Sequence, residues 1–167
     1  SGGRFIGEEV AKKLGIAYYD KNIINEIAEK SGAILSYDPN LREPLWKSMD
    51  EAKEQILYGL SHCHILKISD NEIQWLTEKE DYTDGVNWIR ERYNIPLILV
   101  SMGKEGSRAY YNGMMVEAKP FLQKNTIETT GAGDTFCGCV LHYICEHGME
   151  GLEEENLKEM LTFANAA

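Results

Sequence analysis

The sequence predicts an α/β fold with a mostly parallel sheet, and three observations carry that prediction. Apolar runs of strand length at residues 33–37, 64–68 and 96–101 alternate with amphipathic stretches of helical length. Strands alternating with helices imply a largely parallel sheet covered by helices. An Asn112-Gly113 pair between two further apolar runs signals one antiparallel hairpin. The 167 residues, 43% hydrophobic and 26% charged, suit an ordinary globular domain with its own core.

Taken in order, Glu8 to Leu14 and Asn22 to Lys30 read as short amphipathic helices with a turn at Tyr18-Tyr19-Asp20. Ala33 to Tyr37 is a compact apolar run ending at Asp38-Pro39-Asn40, a buried strand and its loop. Ser48 to Leu60 is a helix, with Ser48 as N-cap and Glu51 three residues on in a capping-box pattern. His64 to Ile68 is the second strand, and a helix starts near Asp70. Val86 to Tyr93 is helical until Asn94 and Pro96 stop it. Pro96 to Ser101 is a strand, Ser107 to Tyr111 and Met114 to Ala118 form the hairpin, and helices over Gly131 to His147 and Leu152 to Ala166 close the chain.

Composition excludes several classes of partner. A formal net charge of −10 argues against a nucleic-acid or anionic-membrane surface. Nucleotides remain allowed, because backbone amides hold phosphates without many basic side chains. The longest apolar runs, such as Leu97 to Val100, are far too short to cross a bilayer. No signal peptide is visible, and a chain starting at Ser1 lacks an initiator methionine. Cys63, Cys137, Cys139 and Cys145 lack disulfide-framework spacing and read as reduced thiols of a cytoplasmic protein.

The most informative stretch is Glu128-Thr129-Thr130-Gly131-Ala132-Gly133-Asp134-Thr135-Phe136. Small residues let a phosphate approach the backbone, and N–H groups at a helix start form an anion site. An aspartate at its lip can take a proton from an attacking hydroxyl. Charge stabilisation and a positioned base are what phosphoryl transfer to an alcohol needs. The plainer alternative is a glycine-rich turn with an aspartate near a helix start. The topological rule that ligands sit at strand carboxyl ends places Asp38–Asn40, Ser69–Glu72, Ser101–Gly106 and Gly131–Asp134 on one rim.

Four separated motifs then occur in order: Ser36-Tyr37-Asp38-Pro39-Asn40-Leu41-Arg42, Lys67-Ile68-Ser69-Asp70-Asn71-Glu72, Ser101-Met102-Gly103-Lys104-Glu105-Gly106, and Gly131 to Asp134, with Phe163-Ala164-Asn165-Ala166-Ala167 as a fifth. From about residue 33 to 167 the chain therefore resembles the C-terminal, nucleotide-binding part of the PfkB carbohydrate kinases, and among them the fructokinases. The resemblance implies a ribokinase-like three-layer fold, apparently truncated, and ATP-dependent phosphorylation of a sugar hydroxyl with Mg²⁺.

By the same resemblance, Asp134 matches the catalytic base and the amides of Gly131, Ala132 and Gly133 the anion hole. Ser101, Gly103 and Gly106 match the loop along the nucleotide, Asn165 a residue beside adenine and ribose, and Lys67 a nucleotide-binding position. Asn40 and Arg42 match a polar pair near the phosphates, and Glu72 ends an Asn-x-x-Glu motif tied to magnesium and phosphate placement. Ser69 stands at the first position of that motif, a variant that fructokinases share. Glu128 departs from the family's usual aspartate where a monovalent-cation site is often built, which puts K⁺ in question. ATP and a small sugar are the implied partners, with no nucleic acid and no membrane, and a homodimer is allowed.

Residues 1–32 read differently. Ser1-Gly2-Gly3-Arg4-Phe5-Ile6-Gly7, with Leu14-Gly15-Ile16-Ala17-Tyr18-Tyr19-Asp20, resembles an incomplete start of a cytidylate-kinase-like P-loop protein. Its plainer reading is two helices over a sheet edge. A rival function follows, a nucleotide-binding remnant or fusion fragment without the sugar-binding half; a cytidylate-type kinase ranks last. Ser61-His62-Cys63-His64 and the Cys139, His142, Cys145 face are weak metal candidates, because zinc needs about four convergent ligands. Trp46, Trp75 and Trp88 read as packing residues, and Glu153 to Glu155 as a favourable helix start.

Overall fold

The computed structural model describes residues 12, 13, 28, 30–121 and 131–166. The chain divides into two compact units, Ser1–Leu35 and Ser36–Ala167. In the first, residues 12, 13, 28, 30 and 31 are helical. The second helical piece ends at Gly32, whose φ of 66° is left-handed, and Ala33 N donates to Ala28 O at 3.0 Å. This is the glycine-terminated closure that satisfies the last carbonyls of a helix. The rest of both expected helices, and the turn at residues 18–20, lie outside the described residues.

The second unit contains β1 (Ser36–Tyr37), α1 (Met49–Leu60), β2 (Ile65–Ser69), α2 (Asp70–Thr77), α3 (Tyr82–Arg90), β3 (Leu97–Ser101), β4 (Ser107–Tyr111), β5 (Met114–Ala118), α4 (Ala132–His147) and α5 (Glu154–Ala166). The strands lie in the order β1-β2-β3-β4-β5. The first three run parallel, and the β4–β5 hairpin adds on antiparallel to β3.

Alternation along the strands builds three layers. Ile65, Leu97, Leu99, Ala109 and Val116 pack with Val140 and Ile144 of α4 and Leu157 and Leu161 of α5. Leu66, Ile68, Ile98, Val100 and Tyr110 point the other way, onto Ile56 of α1, Ile73 of α2 and Ile89 of α3. β2 and β3 are buried on both faces, which is why they read as near-continuous apolar runs.

Several boundaries depart from expectation; among them, α3 ends at Arg90 rather than Tyr93 and α5 starts at Glu154 rather than Leu152. The first strand is two residues, because the Ala33 amide is committed to the preceding helix and Ile34 is exposed. α3 starts four residues earlier than Val86, because Asp81 caps it, accepting from Thr83 N at 2.8 Å and Asp84 N at 3.1 Å. Gly85 is tolerated inside that helix because a Cβ there would collide with the Ile73 side chain. β2 runs one residue later, to Ser69. The hairpin turns at Asn112 (φ 46°) and Gly113 (φ 84°), and Arg108 Nε reaches Glu117 Oε2 across it at 2.8 Å.

Candidate active site

The parallel strands end side by side. Tyr37 pairs with Leu66 and Ser69 with Ser101, so the loops after β1, β2 and β3 leave from one rim. Antiparallel pairing adds the start of β4 and the end of β5 to that rim, through Ser101–Ser107 and Ser107–Ala118. Asn165, at the end of α5, donates from Nδ2 to Ala118 O and Lys119 O, both at 3.1 Å, fixing α5 to the same end of the sheet.

Lys67 lies at the centre. It is only 7% exposed, and its ammonium sits 3.1 Å from Asp38 Oδ2 and 3.4 Å from Oδ1. A buried ammonium needs such a partner. Burial raises the Asp38 carboxyl above its ordinary pKa, against the opposing pull of the Lys67 charge and hydrogen bond. A Cβ on Gly133 would lie 3.1 Å from Lys67 Nζ. The first turn of α4 thus rests on the Lys67 ammonium, and a side chain at 133 would press on it.

Gly131 is the N-cap of α4, with a left-handed φ of 85° and no side-chain cap. Ala132, Gly133 and Asp134 form the first turn, where amides lack intrahelical partners and the helix dipole is positive. Asp134 is exposed at this end, and Thr135 Oγ1 donates to Gly131 O at 3.0 Å. One turn on, burial raises the Cys137 thiol; the Asp38 charge adds to this, Ser36 and Lys67 oppose it, and Asp134 adds a further rise. Asp38, Lys67 and Asp134 therefore share one electrostatic neighbourhood. The expected residues Glu128, Thr129 and Thr130 lie outside the described set.

The neighbouring loops are closed by their own bonds. Met102 N donates to Gly106 O at 2.9 Å, with Gly103 (φ 52°) and Gly106 (φ 103°) in left-handed backbone. A Cβ at Gly106 would strike Ala118 O, so this glycine brings the loop against the end of β5. Glu72 forms a reciprocal capping box with Ser69 and also accepts from Leu41 N at 2.6 Å.

Asn40, Lys67, Ser69 and Glu72 line a single cleft of about 380 Å³ with Leu41, Glu43, Asn71 and Trp75. Arg42 is exposed at the following 3-10 turn and does not line that cleft. A larger groove, about 690 Å³, runs along α5 beside Phe121; it takes in Phe163 and Ala166 of the fifth motif but none of the residues given a site role. The smaller cleft is the better candidate because residues of the first two motifs converge there; Ser101, Gly103, Gly106, Gly131, Ala132, Gly133, Asp134 and Asn165 do not line it. Its carboxylate and amide oxygens are the hard donors that Mg²⁺ takes, usually together with water and substrate phosphates.

Among the described residues no group of three His, Cys, Asp or Glu side chains gathers to hold a metal, and all four cysteines are free thiols. Trp75 and Trp88 pack on the α1–α3 side of the sheet. No described helix is long and apolar enough to cross a membrane. Sequence reasoning did not single out Asp38 as the Lys67 partner, nor Cys137. The signal for Asp38 was its register: it follows Tyr37, which pairs with the residue before Lys67.

The family model for pfkB carbohydrate kinases matches residues 21–167. The chain belongs to the PfkB carbohydrate kinase family. It is 40% identical over 141 residues to a probable fructokinase-2 of Arabidopsis thaliana, an alignment covering 84% of this chain and 43% of that protein. A putative fructokinase-8 of the same plant is also 40% identical over 141 residues, covering 84% of this chain and 67% of that protein. Among solved structures, the fructokinase of Vibrio cholerae O395 in its fructose, ADP and calcium ion bound form is 25% identical. It superposes with a TM-score of 0.74 over 84% of this chain and 45% of that one. The PfkB chain thus spans less than half the length of several fructokinases that it matches, and the three-layer α/β fold is the ribokinase-like fold.

Proposed function

We propose that the rim binds MgATP and serves phosphoryl transfer to a sugar hydroxyl, as in a fructokinase. The observation that carries this reading is the placing of Gly133 so near Lys67 that an added Cβ would lie 3.1 Å from its ammonium. It sets the open amides of a helix start, one buried ammonium and an exposed carboxylate at one strand-end rim. Such an array favours an anion from two independent sources, dipole and charge.

In the proposed reaction a sugar hydroxyl oxygen attacks the γ-phosphorus in line. The bond from that phosphorus to the β–γ bridging oxygen breaks, and ADP leaves with the electron pair. Asp134 takes the hydroxyl proton, while the amides of Gly131, Ala132 and Gly133, with Lys67, stabilise charge on the phosphoryl oxygens. Asn40 would offer a cleft oxygen to Mg²⁺, which when bound with the nucleotide would supply charge screening for its phosphates. Ser101, Gly103 and Gly106 lie along the nucleotide, with Asn165 near its base. Arg42 stands outside the cleft, and Glu128, the position bearing on potassium, lies outside the described residues. Residues 33–167 form the nucleotide-binding part in this reading, working in the cytoplasm.

The length comparison supports a second reading, a nucleotide-binding piece without turnover, because the alignment covers 43% of that fructokinase. Calorimetry with ATP and Mg²⁺, followed by a coupled ADP-release assay on fructose, ribose and adenosine, separates the two. Binding with turnover on a sugar supports the kinase, and binding without turnover supports the second reading. No nucleotide binding overturns both.

A further inference from the structure

Glu72 joins two loops of the rim. Its Oε1 accepts from Leu41 N at 2.6 Å, across 31 residues of chain. Its Oε2 accepts from Ser69 N at 2.9 Å and from Ser69 Oγ at 2.8 Å, while Glu72 N donates back to Ser69 Oγ at 3.3 Å. Asn40, next to Leu41, has a φ of 42°. Asparagine takes left-handed backbone more readily than other non-glycine residues, so the turn at Asn40 is locally permitted and the bond at Leu41 ties it to α2. A carboxylate offers about four lone-pair positions, and three of Glu72's are already filled. A direct two-oxygen grip on a cation would displace bonds that hold the loop.

We infer that Glu72 is a positioning residue that clamps the Asn40–Leu41 turn onto the start of α2, so that Asn40 and Lys67 face the phosphates in one arrangement. It acts on the nucleotide through the loop rather than by a two-oxygen grip on metal. This rests on the proposed nucleotide site. The alternative of a metal ligand differs in a measurable way, because a loop clamp matters whether or not metal is present.

The test compares the unaltered chain with Glu72→Ala and Glu72→Gln. Calorimetry uses ATP with chelator and ATP with Mg²⁺, and hydrogen exchange is read at the Leu41 amide. With Glu72→Ala, Leu41 exchange should rise, and affinity should fall by roughly tenfold or more, by the same factor with and without Mg²⁺. Glu72→Gln keeps one acceptor and should lie between. Unchanged Leu41 exchange in both variants overturns the clamp. An affinity loss confined to the Mg²⁺ arm, with a shifted Mg²⁺ midpoint, overturns it in favour of a ligand. Should Glu72→Ala not fold, as judged by lost protection at Leu66 and Leu99, Glu72→Gln carries both readouts. If the unaltered chain binds no ATP in either arm, the proposed function fails, and Leu41 exchange alone decides the clamp.

Discussion

At the scale of single residues, Gly133 is the position where sequence and site constrain each other most tightly. Alanine is a better helix former than glycine by about 1 kcal/mol. At 133, however, the new methyl would lie 3.1 Å from an ammonium that Asp38 also holds. We therefore expect Gly133→Ala to leave thermal stability unchanged or slightly raised while ATP affinity falls roughly tenfold, as a displaced charged hydrogen-bond donor costs. Parallel melting and calorimetry check this, and an unchanged affinity would remove Lys67 from the phosphate site. Asp134 should behave in the opposite way. Removing a general base costs about 10²–10⁴ in rate. Asp134→Asn should therefore abolish measurable turnover, in this chain or in a fusion with the remaining part of a longer fructokinase, while ATP affinity stays near normal. A variant keeping most of its turnover would refute the base assignment.

At the scale of elements, glycine marks close approach within helices as well as turns. A Cβ at Gly59, on α1, would run into the Tyr37 ring. Overpacking of this kind costs about 1–3 kcal/mol, more than the propensity gained by alanine. Gly59→Ala should lower the unfolding midpoint in urea without changing the slope. Much at this scale was legible in the sequence. Ser48 caps α1 as expected, with Glu51 N donating to its Oγ at 3.1 Å, and Asn112-Gly113 makes the hairpin. Both signals are local and need no tertiary partner. The boundaries that moved were decided by contacts the sequence does not display. Gly85 sits inside α3 because of an Ile73 methyl on another helix, and the first strand is shortened because Ala33 spends its amide on Ala28.

For the whole molecule, burial of two neutral acids predicts an alkaline limit to stability. Burial, with the Glu72 and Asp38 charges and Cys63 nearby, pushes Tyr37 up from 10.0 to about 12, and burial pushes the Cys63 thiol up from 9.0 to about 12. A raised acid favours the protonated folded state, so its contribution is fully present below the unfolded pKa and is lost as pH rises through the folded one. Stability should therefore fall between about pH 9 and pH 12. Tyr37→Phe combined with Cys63→Ala should flatten that fall in denaturant titrations; an unaltered slope would contradict the assignment.

The rim itself was legible because strand ends follow from alternating apolar runs, and the ordered motifs fall on those ends. The Lys67–Asp38 pair and the Glu72–Leu41 bond were not. Each joins residues about thirty positions apart, and only the register of β1 on β2 brings them together.

The most direct measurement is a crystal structure of this chain with Mg²⁺ and a non-hydrolysable ATP analogue. The terminal phosphate is expected within about 3 Å of amides in the first turn of α4 and of Lys67 Nζ, with Asp134 facing it. Phosphates found along the α5 groove, or at any place away from Gly133, would contradict the account.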